Sequence, residues 1–186
     1  RTTTLRIIYV SLFSLFFYYE SSGEYVLILL FAATMDFFIG RAIGRSEDEA
    51  YRKRLLITSI CVNIGMLSYF KYFYFLLALG QMLLASLGIV TEPAIPLEAR
   101  DYFIPAGISF YTFQTLSYTA DIYRREITPL RRWIDYLFYL SFFPQLVAGP
   151  IVRAKDFIPQ IYRRPQLLKA EYGEALTLIL SGLVKK

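Results

Sequence analysis

Polar and helix-breaking residues stand inside two strongly apolar stretches, and their spacing suits the wall of an enclosed space. The first stretch runs from Phe103 to Arg124. On an ideal helix, at about 100° per residue, Phe110, Gln114, Ser117, Asp121 and Arg124 fall on one stripe, with Tyr111 and Tyr118 beside it and Ser109 just before it. The second runs from Phe142 to Arg153 and carries Pro144, Gln145, Gly149 and Pro150 where a plain membrane anchor would carry Leu and Val. Backbone that departs from regular helix at membrane depth must be buried in protein or line a cavity. A polar stripe in a bilayer faces protein or water rather than lipid. For Pro144, Gly149 and Pro150 the alternative is the kink of an ordinary span; for the polar residues of the stripe two readings stay open. One is an interhelical hydrogen bond, worth about 1 kcal/mol or less. The other is the wall of a substrate passage, for which the candidates are Ser109, Tyr111, Gln114, Ser117, Asp121, Pro144, Gln145, Gly149, Pro150 and Arg153.

Other chemistries are excluded by composition. The chain has no His and a single Cys, so it can form neither a zinc site of the usual ligand types nor a Ser-His or Cys-His pair. No metal ligands are assigned. The glycines are scattered through apolar runs, so no Gly-rich phosphate loop is present. Asp36, Asp121 and Asp135 have no reason in the sequence to converge, and no catalytic residue is assigned. Cys61 lies inside an apolar run and reads as a small packed hydrophobe.

The elements that must position the wall are membrane helices. Of 186 residues, 56% are apolar and 19% charged, against about 25% charged in an ordinary soluble domain. The charges cluster between long apolar runs, which places the chain in the membrane class. The net charge of +5 comes from Lys and Arg in those clusters, a pattern of loops facing an anionic membrane and not of a nucleic-acid stripe. The expected fold is all-α and polytopic, with about five to seven membrane-embedded helices, one of them a candidate re-entrant element.

In chain order, Leu5 to Tyr19 and Tyr25 to Gly40 read as spans joined by the acidic turn Glu20 to Glu24. Asp36 sits inside the second span, with Arg41 or Arg45 as its expected partner. Gly40 and Gly44 form a small-xxx-small pair at the end of that span, a weak packing signal there. The loop from Arg41 to Arg54 is basic and therefore cytoplasmic by the positive-inside rule, leaving Glu20 to Glu24 outside. Leu55 to Val90 is too long for one crossing. The cluster Tyr69 to Tyr74 around Lys71 suggests an interfacial belt, after which the chain crosses back or lies along the surface. Thr91 to Asp101 reads as a loop, and Pro105 suits the first turn of the next helix. Trp133 to Val152 lies between two basic loops. If both face the cytoplasm, it must enter and return on one side, breaking at Pro144 and at Gly149-Pro150. Asp156 to Arg164 reads as a surface segment, and a further helix begins at Ala170.

The run Ile104-Pro105-Ala106-Gly107-Ile108-Ser109-Phe110-Tyr111-Thr112-Phe113-Gln114, with Ser117-Tyr118 and Asp121-Ile122-Tyr123-Arg124, resembles the membrane-bound O-acyltransferases of the alginate O-acetylation type. Phe142-Phe143-Pro144-Gln145-Leu146-Val147-Ala148-Gly149-Pro150 with Arg153 is similar to the next motif of that family. Asp36 to Gly40, Tyr69 to Tyr72 and Ser181 to Lys186 match in order.

The resemblance implies an all-helical enzyme of a bacterial inner membrane. Such an enzyme takes an acyl group from a cytoplasmic donor, acetyl-CoA or another acyl carrier, and binds no resident cofactor. It passes the group, acetyl as the family-level expectation, to hydroxyls of a surface polysaccharide such as alginate. Its partners are membrane lipid and an extracytoplasmic partner protein or polymer, with no nucleic acid. The family's essential His falls in an apolar segment of its second half. Nothing in this chain matches it, so the chain is expected to be inactive alone. On this reading residues 1–186 form the N-terminal portion of one larger transmembrane domain. The alternatives are a transporter or export subunit and a non-catalytic membrane scaffold.

Overall fold

The computed structural model describes residues 2–88, 105–149, 151–162 and 169–185, and these are helical with no strand. Nine α-helices follow in order: α1 (Thr2–Ser22), α2 (Val26–Arg45), α3 (Glu49–Leu67), α4 (Phe73–Ser86), α5 (Ile108–Tyr123), α6 (Trp133–Ser141), α7 (Phe143–Ala148), α8 (Ala154–Ile161) and α9 (Lys169–Lys185). Two stretches, Thr4–Arg45 and Glu49–Tyr72, are long and apolar enough to cross a membrane. Thr91 to Asp101 and Pro150 lie outside the described residues.

The first two helices form a hairpin. A 3-10 turn, Gly23–Tyr25, joins them, and Gly23 takes φ +57°. At the turn end, Ser22 accepts a hydrogen bond from the Ala106 amide. At the other end, Thr4 accepts from Arg132 and Gly44 of α2 meets Pro129. The acidic turn and the basic residues therefore occupy opposite ends of the bundle. The basic loop is shorter than its charge pattern suggests. Only Ser46 to Asp48 separates α2 from α3, and Asp48 caps α3 by accepting from the Ala50 amide.

The helix α5 is the central post, packed against α2 and α3. Gly40 faces Tyr118 and Ile122 so closely that a methyl group there would sit 2.8 Å from the Tyr118 ring. At Gly44 a methyl would sit 2.5 Å from Pro129. The small-xxx-small pair is thus a tight packing surface even at a helix end, contrary to the weak signal in the sequence. Arg52 of α3 closes the C-terminus of α5, donating to the carbonyls of Tyr123 at 2.6 Å and Ile122 at 3.4 Å. Pro105 does not start α5. It opens a Pro105-Ala106-Gly107 turn, and Gly107, at φ +69°, accepts from the amides of Phe110 and Tyr111. Its left-handed backbone is one that Gly adopts without strain.

The aromatic cluster around Lys71 lies at the junction of two helices. Ser68–Tyr72 form a π-helical turn that continues α3, and Tyr72, at φ −118° and ψ 1°, bends the chain into α4. Lys71 turns toward α5 and donates to the Ser109 hydroxyl at 3.3 Å. The side chains of α4 and α9 that are described stay largely exposed, as do Leu5, Tyr9, Leu12 and Phe16 of α1.

Trp133 to Val152 goes out and comes back. Its entry is fixed at the basic end, where Arg132 reaches Thr4. Midway, the helix breaks at Phe142, whose ψ of 103° is non-helical, and the Phe143 amide donates to Ser14 in the middle of α1. Pro144 does not make the break. It sits in the first turn of α7, where its missing N–H costs no helical bond. The return ends at the same basic end, where Lys155 pairs with Glu126 and Arg6 donates to the Ile161 carbonyl.

Candidate functional site

The faces of α5 divide the buried polar groups into two sets. The first faces α6, α7 and α8. Gln114 is buried, and neither atom of its amide has a hydrogen-bond partner among the described residues; the same holds for Asp121 Oδ2 and Ser141 Oγ. Leaving a buried polar group unmatched costs about 1–3 kcal/mol, so such groups ask for an explanation beyond packing. Beside them, the fully buried Tyr139 phenol lies 3.2 Å from the carbonyl of Val152 and 3.4 Å from that of Gln114. Ser117 is the adjacent hydroxyl. Tyr139 thus ties the outgoing arm to α5 and to the returning backbone after Gly149. Asp121 lies nearer the basic end, within electrostatic reach of Arg153, Lys155 and Arg124.

Where the structure puts the other expected residues is plain. Tyr111 is buried with its phenol toward Tyr18 of α1. Gln145 is buried in α7, and its backbone accepts from the Gly149 amide at 3.0 Å. Gly149 packs onto that same residue, where a methyl would sit 2.6 Å from the Gln145 Cα. Pro144 and Arg153 are exposed. Ser109 stands apart with Lys71, at the opposite end of α5 from Asp121. The structure therefore gathers Gln114, Ser117, Asp121 and, through Tyr139, the Gly149 turn.

The second set faces α2 and α3, and its centre is Asp36. Arg41 and Arg45 are not its partners; the Arg41 guanidinium lies over the Phe37 ring instead. Asp36 accepts from the Ser59 hydroxyl at 2.5 Å and from the Asn63 amide at 2.7 Å. Thr115 lies 3.0 Å from Asn63 Oδ1, and Thr119 lies 3.4 Å from Ser59. All five side chains are fully buried. This network joins three helices, and the sequence did carry a signal for it. Ser59 and Asn63 are one turn apart on α3, as are Thr115 and Thr119 on α5.

A third cluster pins the return to the basic end. Arg132 grips the buried Asp135 with two nitrogens at 2.9 and 2.8 Å, and the Tyr162 phenol donates to the same carboxylate. Burial, reinforced by that hydrogen bond, pushes the Tyr162 phenol up to about 12. No group of three or more metal-ligating side chains occurs among the described residues.

No family model and no solved structure matches the chain. Curated proteins do. "Probable alginate O-acetylase AlgI" of Pseudomonas aeruginosa is 33% identical over 162 residues, covering 86% of this chain and 30% of that protein. The protein of the same name from Azotobacter vinelandii is 32% identical over 160 residues, 84% of this chain and 31% of its own length. "Peptidoglycan O-acetyltransferase" of Helicobacter pylori is 28% identical over 177 residues, 82% of this chain and 32% of its own length. The chain spans about 30% of the length of the curated relatives it matches.

Proposed function

We infer that this chain, which belongs to the membrane-bound O-acyltransferases of the alginate O-acetylation type, forms part of an enzyme that moves acetyl groups onto hydroxyls of an envelope polysaccharide. The observation that carries this reading is the 33% identity to an alginate O-acetylase over 86% of the chain. The polysaccharide is an alginate-like polymer or peptidoglycan, after the names of the relatives.

In this reading the basic end faces the cytoplasm, and Trp133 to Val152 is a re-entrant element. The acetyl donor, acetyl-CoA or another acyl carrier, arrives at that end. Gln114, Ser117 and Asp121, opposite Tyr139 and the Gly149 turn, line the route the acetyl group takes. Gln114 is suited to this role because its buried amide has donor and acceptor to offer a polar guest. The acceptor hydroxyl loses its proton to a general base as its oxygen attacks the acetyl carbonyl, the bond from that carbonyl to the carrier breaks, and the carrier leaves with the proton the base took up. No residue of this chain is assigned as that base. The enclosed route keeps bulk water from hydrolysing the donor. The enzyme sits in a bacterial inner membrane and delivers the acetyl group to an extracytoplasmic polymer, directly or through a partner protein.

The test is acetyl transfer by membrane vesicles carrying the full-length protein, supplied with a labelled cytoplasmic extract and polymer. Base-labile label on the polymer, dependent on the protein, is the expected result. Polymer labelling that is the same without the protein would overturn the reading.

A further inference from the structure

A cleft of about 860 Å³ between α1, α6 and α8 takes no part in the route above. Its size is within the range of about 300–1,000 Å³ usual for small-molecule sites. The floor is apolar, formed by Ile7 and Val10 of α1, Phe138 of α6, Phe142 at the break after it and Phe157 of α8. Its rim carries Arg6, Lys155 and Asp156. The floor runs on into the outer face of α1, where Leu5 is 67% and Tyr9 71% exposed. In a membrane protein such a face is turned to lipid, so the cleft opens toward acyl chains.

The rim is of mixed sign. Arg6 donates to the Ile161 carbonyl at 2.9 Å, which holds its head at the C-terminus of α8. Lys155 shares its charge with Glu126 at 3.3 Å. Asp156 is exposed beside it. A purely anionic headgroup would meet Asp156 as well as the two cations. A choline headgroup has no N–H to give Asp156. A phosphate next to a primary ammonium matches all three groups.

We propose that this cleft seats one phospholipid with a primary-amine headgroup, drawn from the leaflet at the basic end. One acyl chain lies on the floor, the phosphate faces Arg6 and Lys155, and the ammonium faces Asp156. The site does not depend on the acetyl-transfer reading.

The experiment uses the full-length protein in detergent, offered phosphatidylethanolamine, phosphatidylglycerol and phosphatidylcholine of matched chains, with retained lipid counted by native mass spectrometry. The expected result is one tightly held phosphatidylethanolamine, preferred over phosphatidylcholine by about tenfold, the scale of one or two interfacial charge contacts. Asp156→Asn removes that preference. Arg6→Gln weakens retention of all three lipids. Val10→Trp fills the floor and abolishes retention. Equal retention of the three lipids, a preference for phosphatidylglycerol, or a preference that survives Asp156→Asn would overturn the proposal. So would a wild-type protein that retains no lipid because another part of the full chain covers the floor.

Discussion

Gly107 and Leu146 press together: a methyl group on Gly107 would lie 2.9 Å from the Leu146 Cδ1. Gly107 also holds φ +69°. One residue thus joins the two motif stretches, the turn that starts α5 and the short helix α7 at the bend of the returning segment. Gly107→Ala meets both a left-handed backbone penalty of about 1–2 kcal/mol and overpacking of about 1–3 kcal/mol. We expect a thermal midpoint several degrees below wild type in detergent. Adding Leu146→Ala should recover part of the loss, the signature of direct contact in a double-mutant cycle.

Asp36 accepts hydrogen bonds from Ser59 and Asn63, with no ion-pair partner among the described residues. Asp36→Ala removes the shared acceptor of Ser59 and Asn63, leaving the Ser59 hydroxyl only its 3.4 Å contact with Thr119 and the Asn63 amide its bond to the Ser59 carbonyl; the cost is up to about 1–3 kcal/mol, although membrane contacts of this kind average only about 0.6 kcal/mol. Asp36→Asn keeps an acceptor for one of the two donors and should lose less. Unfolding midpoints of the two variants check the order. Arg41→Gln, if as damaging as Asp36→Ala, would contradict the assignment.

The grip on Asp135 is asymmetric. The carboxylate side chain is 2% exposed and the Arg132 side chain 43%. Removing the cation leaves a buried charge, while removing the carboxylate leaves an arginine that reaches water. Arg132→Gln should therefore destabilise more than Asp135→Asn. The Tyr162 phenol has its folded value raised from 10.0 to about 12. Its contribution is complete below about pH 10 and is lost as pH rises through 12. The stability difference between wild type and Tyr162→Phe should stay constant at neutral pH and shrink only in that alkaline window.

The return of Trp133 to Val152 to its starting end has a direct readout. Single cysteines at Thr128 and at Lys155, in full-length protein with Cys61 and every other native cysteine replaced, should react with an impermeant maleimide from the same side of sealed vesicles. A cysteine at Gly23 should react only from the other side. Labelling of the first two from opposite sides would show an ordinary span.

The sequence displayed some of this and hid the rest for physical reasons. The basic loops on both sides of Trp133 to Val152 pointed to an out-and-back segment, but its break falls at Phe142 and not at Pro144, which sits in the first turn of α7. The polar stripe of α5 was legible from helical period alone. The partner of Asp36 was not. Arg41 and Arg45 are close in sequence but lie about 140° and about 180° around the helix from Asp36. Its true partners sit on α3, and finding them required knowing that α2, α3 and α5 pack together. The π-helical turn at Ser68–Tyr72 left no trace in composition, since its residues are the same aromatic types an interfacial belt uses.

The most direct measurement is ester-linked acetate on envelope polymers of an O-acetylase-deficient strain, complemented with the full-length protein or its Gln114→Leu variant. Wild type should restore acetate on an alginate-like polymer or on peptidoglycan. Gln114→Leu should accumulate in the membrane with unchanged or higher stability, because an unmatched buried amide is gone, yet restore at most about a tenth, in keeping with the loss of a positioning contact. Wild-type protein present at normal level with no acetate on either polymer would contradict the account, and Gln114→Leu restoring full acetate would remove Gln114 from the route.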